Sequence, residues 1–287
     1  MSSELKSNNY GKSGVRVLKV KRKGKIHEVI EMTVGVQFRG DFDDVHTKGD
    51  NSKVLPTDTI KNTVYVIAKK DPLNSPEEFC IHLGNYFNEN NEQVFEVVIN
   101  AELKKWKRIR VSEDAKAESV PHDHSFVSGG SEVRTCRVTL NSDIIEIRSG
   151  LKDLVVLKTT DSGFEGYIKD NFTTLPETDD RIFSTSIKAD WKFTDLNPDF
   201  NKNFDTVRDI LLNTFAGHLS PSVQSTLYEC GRNVIEKCPD IQEITLSMPN
   251  KHYLKFNLEQ FGLENKNEIF IPTDEPFGLI EGTVKRS

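Results

Sequence analysis

Arg181-Ile182-Phe183-Ser184-Thr185-Ser186-Ile187-Lys188-Ala189-Asp190-Trp191-Lys192-Phe193 alternates along most of its length. Phe183, Thr185, Ile187, Ala189 and Trp191 fall on one face, and Ser184, Ser186, Lys188 and Asp190 on the other. That period of two predicts a long strand with one face buried. Downstream, Phe204, Val207, Ile210, Leu211, Thr214 and Phe215 form a helical stripe. Ser220-Pro221 restarts a second helix carrying Val223, Leu227 and Val234. Ile244, Leu246 and Met248 then alternate as a strand, and Leu254, Phe256 and Leu258 as another. Upstream, Leu154 to Thr159 is a short strand-like run. The order is strand pair, helices, strand pair.

The N-terminal half repeats this order. Residues 15–20 and 29–38 are rich in Val, Ile, Met and Phe around Lys23-Gly24-Lys25, a hairpin signal. Thr57 to Lys70 is apolar enough for a short helix. Ser75-Pro76-Glu77-Glu78 predicts a second helix start: Ser75 caps, Pro76 fits the first turn, and Glu78 holds the capping-box position. Phe79, Leu83, Tyr86 and Phe87 follow at helical spacing. Phe95, Val97, Ile99, Ala101 and Leu103 then alternate as a half-buried strand. The fold class is therefore α+β: two tandem units, antiparallel sheets with helices on one face. The break is expected near 112–150, where Ser112–Ser119 and Ser128-Gly129-Gly130-Ser131 read as loops. This puts the units at 1–140 and 141–287. Such sheets leave edges to be covered, and oligomerisation is one way to cover them.

The chain has 287 residues, 29% charged and 36% hydrophobic, with 17 Phe as core material. A net charge of -6 implies no strongly acidic or basic partner. Cys80, Cys136, Cys230 and Cys238 form no CxxC pair and suit a reducing compartment. The opening residues hold no apolar secretory core, and no apolar run approaches the roughly 20 residues that span a bilayer.

Four segments have polar residues that do not fit a solvated surface: Tyr10-Gly11-Lys12 before the first strand, Leu55 to Thr63 at a strand-to-helix junction, Phe164 to Arg181, and Met248 to Tyr253 between two strands. Each residue type has an ordinary reading. Lys12 alone is a solvated lysine, Thr57 a helix cap, Arg181 a surface ion pair, His252 a satisfied core histidine, Phe164 core, and Gln224 a solvated helix face. His122-x-His124 suggests a metal pair, but no third ligand has useful spacing. The basic run Lys104 to Arg110 suggests nucleic acid, but the outer face of an alternating strand explains it better.

Together these segments resemble urate oxidase. The motifs are Tyr10-Gly11-Lys12, Thr57-Asp58-Thr59-Ile60-Lys61-Asn62-Thr63, Asp180-Arg181, Ser222-Val223-Gln224 and Pro249-Asn250-Lys251-His252-Tyr253, in the family's order and over nearly the whole chain. The resemblance implies the tunnelling fold: tandem ββααββ units assembling into a tetrameric barrel. It implies oxidation of urate by dioxygen and water to 5-hydroxyisourate and hydrogen peroxide, in purine degradation, with no cofactor, metal, nucleic acid or membrane. Lys12 and Thr57, with His252 behind them, match the family's proton relay. A lysine serves as a base only where burial or a nearby positive charge lowers its pKa. Arg181 offers a planar fork to the urate oxygens, and Gln224 reads the opposite edge. Phe164 stacks on the ring, backbone groups of Asp58 and Val223 complete recognition, and Asn250 holds dioxygen or water above the ring. The resemblance also implies a homotetramer in which Lys12 and Thr57 face Arg181 and Gln224 across a subunit interface. A peroxisomal location follows by resemblance, with cytoplasm as the alternative, since the sequence given ends Val284-Lys285-Arg286-Ser287 rather than in Ser-Lys-Leu. Two alternatives stand beside this reading: a pterin-acting enzyme of the same fold, and a purine binder that has lost activity.

Overall fold

The computed structural model describes residues 3–112, 118–141 and 144–287. The expected loop at Ser112–Ser119 lies in part, at 113–117, outside the described residues. The chain forms two compact units, Met1–Gly150 with Asp195–Phe200, and Leu151–Thr194 with Asn201–Ser287.

In the first unit β1 (Tyr10–Lys23), β2 (Ile26–Gly40), β3 (Val94–Val111) and β4 (Val120–Asn141) pair antiparallel in chain order. Short α1 (Asp43–Thr47) is followed by α2 (Thr57–Lys70) and α3 (Pro76–Glu89). Helix α2 packs on β1, and α3 on β3 and β4. The α2 bounds are those the sequence predicts. At α3 the Ser75 hydroxyl accepts from the Glu78 N–H at 3.1 Å, the expected cap. Phe79, Leu83 and Phe87 are buried, while Tyr86 lies on the outer edge of the stripe and is 42% exposed. Fully buried Glu77 in the first turn of α3 pairs with Arg134 of β4 at 2.7 Å and accepts from the Ser149 hydroxyl. Leaving either charge of such a pair alone in the interior costs several kcal/mol, on the order of 3–5.

Three local irregularities change the sequence reading. Tyr10-Gly11-Lys12 lies inside β1, not before it. Phe95 is the extra residue of a bulge: Arg39 faces Glu96 and Gly40 faces Val94, so the ring is left 61% exposed. Ser128 to Ser131 is not a loop between units but part of β4. Register runs from Trp106 opposite Ser128 to Lys104 opposite Val133, so residues 129–132 stand against Lys105 alone, with Gly130 at positive φ.

β5 (Ile145–Lys158) is longer than the predicted Leu154–Thr159 and spans the division between the units. In the second unit β6 (Phe183–Phe193) pairs with β7 (Ile241–Ser247), which pairs with β10 (Glu281–Lys285); β8 (Asn250–Lys255) pairs with β6 and with β9 (Phe270–Gly278). Phe183, Thr185, Ile187, Ala189 and Trp191 are all buried, as the alternation predicts, and each large apolar member contributes roughly 1.5–3 kcal/mol. Helices α4 (Phe200–Gly217) and α5 (Val223–Lys237) follow β6, and α5 packs on β7 and β10. The cap of α5 is Ser222, whose hydroxyl accepts from the Ser225 N–H at 3.1 Å, rather than Ser220-Pro221. Leu254 is 54% exposed, and Phe256 and Leu258 lie beyond β8 because the strand ends at Lys255. No helix among the described residues is long and apolar enough to cross a membrane. All four cysteines are buried free thiols.

Candidate functional site

In the first unit a bulge decides where Lys12 goes. Lys12 pairs with Val36 and Val15 with Val34, so Ser13 and Gly14 together face Gly35 alone. Gly14 takes φ 71, which L side chains avoid. Side chains directly across a ladder share a face. Tyr10, Lys12, Val15 and Val17 are paired with Phe38, Val36, Val34 and Met32, all four of them buried. Without the extra residue, even-numbered Lys12 and odd-numbered Val15 would point to opposite faces. The bulge turns Lys12 onto the helix-covered face, where it is half-buried.

On that face lies the N-terminus of α2. Its cap residue is Pro56, and no side chain caps the first turn. The Ile60 N–H bonds the Pro56 carbonyl at 3.1 Å, so the earlier N–H groups of Thr57, Asp58 and Thr59 lack helical partners. Thr57 is therefore not the cap but the first helical residue, and its hydroxyl makes no hydrogen bond among the described residues. The Asp58 carboxylate is committed to Lys61 and, at 3.0 Å, to Asn62. Lys61 chiefly, with Lys12 also in electrostatic reach, holds it below the usual carboxylate range. That leaves the backbone of Asp58, not its side chain, open to a ligand.

In the second unit Phe164 and Thr178 form an isolated bridge, and the Arg181 N–H bonds the Ser162 carbonyl at 2.8 Å. This brings the Arg181 guanidinium carbon to 5.7 Å from the Phe164 ring centroid. Arg181 precedes β6 instead of opening it, and it has no ion pair among the described residues. Its buried Nε has no hydrogen-bond partner, and burial pulls the guanidinium below its ordinary value. A cation held this way is poised for an anion. Tyr167, which the sequence reading missed, stacks on Phe164 at 4.8 Å and 13°. One face of Phe164 is thus covered by protein. The aromatic pair Phe164-x-x-Tyr167 was the available signal.

At α5, Val223 is buried and Gln224 exposed, in a first turn where only the Ser225 N–H is capped. Asn250 and His252 are half-buried on β8, opposite Gly278 and Thr273 of β9. The side chains of Gln224, Asn250 and His252 make no hydrogen bond or ion pair among the described residues. Each unit thus presents polar side chains left free while their neighbours are committed. A cavity of about 710 Å³ lies elsewhere, lined by residues such as Lys255, Glu264 and Asn265, and includes none of these groups.

The two readings set aside earlier have local explanations. His122 and His124 pack edge-on at 4.6 Å between ring centroids, and no group of three or more potential ligands gathers among the described residues. The basic run is tied internally. Lys104 lies over Trp106, whose indole N–H donates to Glu31 at 2.9 Å, and Arg108 donates to the His122 carbonyl at 2.8 Å.

Comparison with known proteins identifies the family and the fold. The sequence profile of a family described as Uricase matches residues 8–139 and 147–281. The uricase of Arthrobacter globiformis is 42% identical over 98% of this chain and 90% of its own. That of Oryctolagus cuniculus is 40% identical over 99% of this chain and 95% of its own. The crystal structure of the Arthrobacter globiformis uricase superposes with a TM-score of 0.93, covering 100% of this chain and 96% of that one. The urate oxidase of Bacillus sp. TB-90, 22% identical with a TM-score of 0.86, shares the fold. These matches set the pterin-acting alternative aside: the chain belongs to the uricase family, and its activity is that of a urate oxidase, an oxidoreductase acting on urate.

Proposed function

We propose that Lys12 and Thr57 of one protomer, with His252, carry a proton away from urate while Arg181, Phe164 and Gln224 of another hold it. Backbone groups of Asp58 and Val223 complete the grip, and Asn250 holds dioxygen or water over the ring. The two tandem units, divided at 1–140 and 141–287, supply the two halves of each site, and four protomers close into a barrel. Urate gives up two electrons and dioxygen takes them to become hydrogen peroxide. Water supplies the new hydroxyl of 5-hydroxyisourate, with no metal or organic cofactor. A peroxisomal location, with cytoplasm as the alternative, belongs to the same proposal and is checked by cell fractionation.

The observation that carries the reading is the orphaned Nε of Arg181, in a guanidinium whose carbon lies 5.7 Å from the Phe164 ring centroid, with no anionic partner among the described residues. Urate is flat and anionic, so it matches a planar fork beside an aromatic ring. The uncommitted side chains of Lys12, Thr57 and His252 suit a group that must exchange a proton and not merely bind.

The test is complementation. Lys12→Met and Arg181→Ala chains are each purified and assayed by loss of urate absorption and release of peroxide. They are then unfolded, mixed and refolded together. Activity in the mixture above that of either variant alone is the expected result, because some sites then combine an intact Lys12 with an intact Arg181. A mixture no better than its parts rules out a site shared between protomers.

A further inference from the structure

We propose that Tyr10 is a positioning residue, holding the start of β1 against the loop that leads into α2 so that Lys12 and Thr57 keep a fixed separation. The proposal rests on the proton-handling roles given to those two residues above. The Tyr10 hydroxyl accepts a hydrogen bond from the Leu55 N–H at 2.9 Å. Leu55 stands two residues before Thr57, and Tyr10 two before Lys12. In a strand, residues two apart share a face, so fixing Tyr10 fixes the direction in which Lys12 leaves the backbone.

The ring is itself immobilised. It meets Phe42 edge-on at 4.7 Å and Phe38 at 5.7 Å, and both are buried. Gly11, between the two side chains, has no room for a Cβ, which would lie 1.9 Å from the Val36 carbonyl oxygen. The segment Tyr10-Gly11-Lys12 thus seats tightly on β2, with the phenol as its one side-chain bond to the α2 loop among the described residues. That loop is secured farther back as well, by the Gln93 amide donating to the Lys53 carbonyl at 2.9 Å and by the Lys53–Asp41 ion pair. Those contacts stop at Lys53, and among the described residues the Tyr10 hydroxyl is the side-chain bond that ties β1 to the loop just before Thr57. Burial pushes the Tyr10 phenol up, and the Leu55 N–H opposes this, so the group is a neutral hydrogen-bonding post rather than a base.

Small displacements of a proton-transfer pair cost rate without costing binding. Tyr10→Phe keeps the ring and its packing and removes only the acceptor. The expected result is a fall in kcat of about 10-fold with KM changed less than about 2-fold, and a displaced kcat–pH profile. The double variant Tyr10→Phe/Lys12→Met should be no slower than Lys12→Met alone, and the urate-analogue affinity of Tyr10→Phe should confirm an intact fold. If Lys12→Met abolishes turnover but Tyr10→Phe keeps the wild-type kcat and pH profile, the positioning role is wrong and the proton relay stands. If Lys12→Met turns over normally, the relay falls and this inference falls with it.

Discussion

In the first unit Lys19 reaches from β1 to the carbonyls of Ala68 and Lys69 at the C-terminal end of α2. In the second, Lys158 reaches from β5 to the carbonyl of His218 just past α4. Both lysines lie in the first strand of a unit and serve the end of its first long helix, where last-turn carbonyls lack partners and the dipole favours a cation. The second long helix of each unit, α3 or α5, carries a glycine against the sheet. A Cβ on Gly84 would sit 2.2 Å from Leu140, and one on Gly231 2.5 Å from Val284. These shared devices hold helix to sheet. The units part at their site-bearing helix starts: α2 opens on Pro56 with no side-chain cap, whereas Ser222 caps α5. Packing is thus common to both units, while the proposed chemistry is weighted differently: Lys12 and Thr57 of the proton relay lie in the first, and the Arg181, Phe164 and Gln224 side chains that grip the anion lie in the second, beside His252 of the relay.

That division predicts which kinetic parameter each substitution moves. Lys12→Met should lower kcat by roughly 10²- to 10⁴-fold, the range of one acid–base group, with affinity for a urate analogue little changed. Arg181→Ala should cost about 2–5 kcal/mol of analogue binding, as expected when a desolvated charge loses its partner. Steady-state kinetics beside analogue titration separate the two. Should both variants lose binding equally, the units do not divide the work.

The helix starts sharpen the comparison at smaller scale. Ser222→Ala removes a cap seen in the structure and should cost about 1 kcal/mol in a denaturation experiment. Thr57→Ala removes no cap, so stability should stay within about 0.5 kcal/mol while turnover falls. If Thr57→Ala destabilises as much as Ser222→Ala, the hydroxyl is structural and its place in the relay is lost.

Helices and cores were legible because their signals are local and periodic. The α2 bounds, the Ser75 cap and the buried face of β6 follow from spacing alone. Bulges were not, because an inserted residue shows only in the partner strand's register. The reading therefore put Tyr10-Gly11-Lys12 before β1, Phe95 inside and Ser128 to Ser131 in a loop. The candidate residues came from ordered motifs. What placed Lys12 on the helix-covered face, the Ser13-Gly14 bulge, came only from the pairing of Lys12 with Val36 and Val15 with Val34. Tyr10 was visible in its motif, but its role depends on an N–H that lies 45 residues away.

The smallest effect concerns acid sensitivity, and it too differs between the units. Around Lys19, burial first and then the Lys21 charge push the ammonium below its ordinary value, and the buried Asp71 carboxylate opposes them. Around Lys158, where burial lowers the ammonium and the Asp161 carboxylate opposes it, an imidazole stands as well. Burial first, then the Lys158 charge, pushes His218 below its ordinary value, while Glu229 pulls it back; the Ser225 hydroxyl lies 3.5 Å from its Nε2. A histidine depressed on folding is neutral in the folded state while the unfolded chain already binds a proton. Its contribution is therefore fully present above the unfolded value of about 6.5 and is lost as pH falls from there through the folded value. Carboxylates held low, such as Glu31, act in a window farther down, below about pH 4.5. His218→Gln should flatten the decline of the melting midpoint as pH falls below about 6.5, and leave the decline below about pH 4.5, where the carboxylates act, as in the parent protein. An unchanged slope in the upper window would mean the second unit's lysine cap carries no titrating neighbour, and the two caps would be equivalent after all.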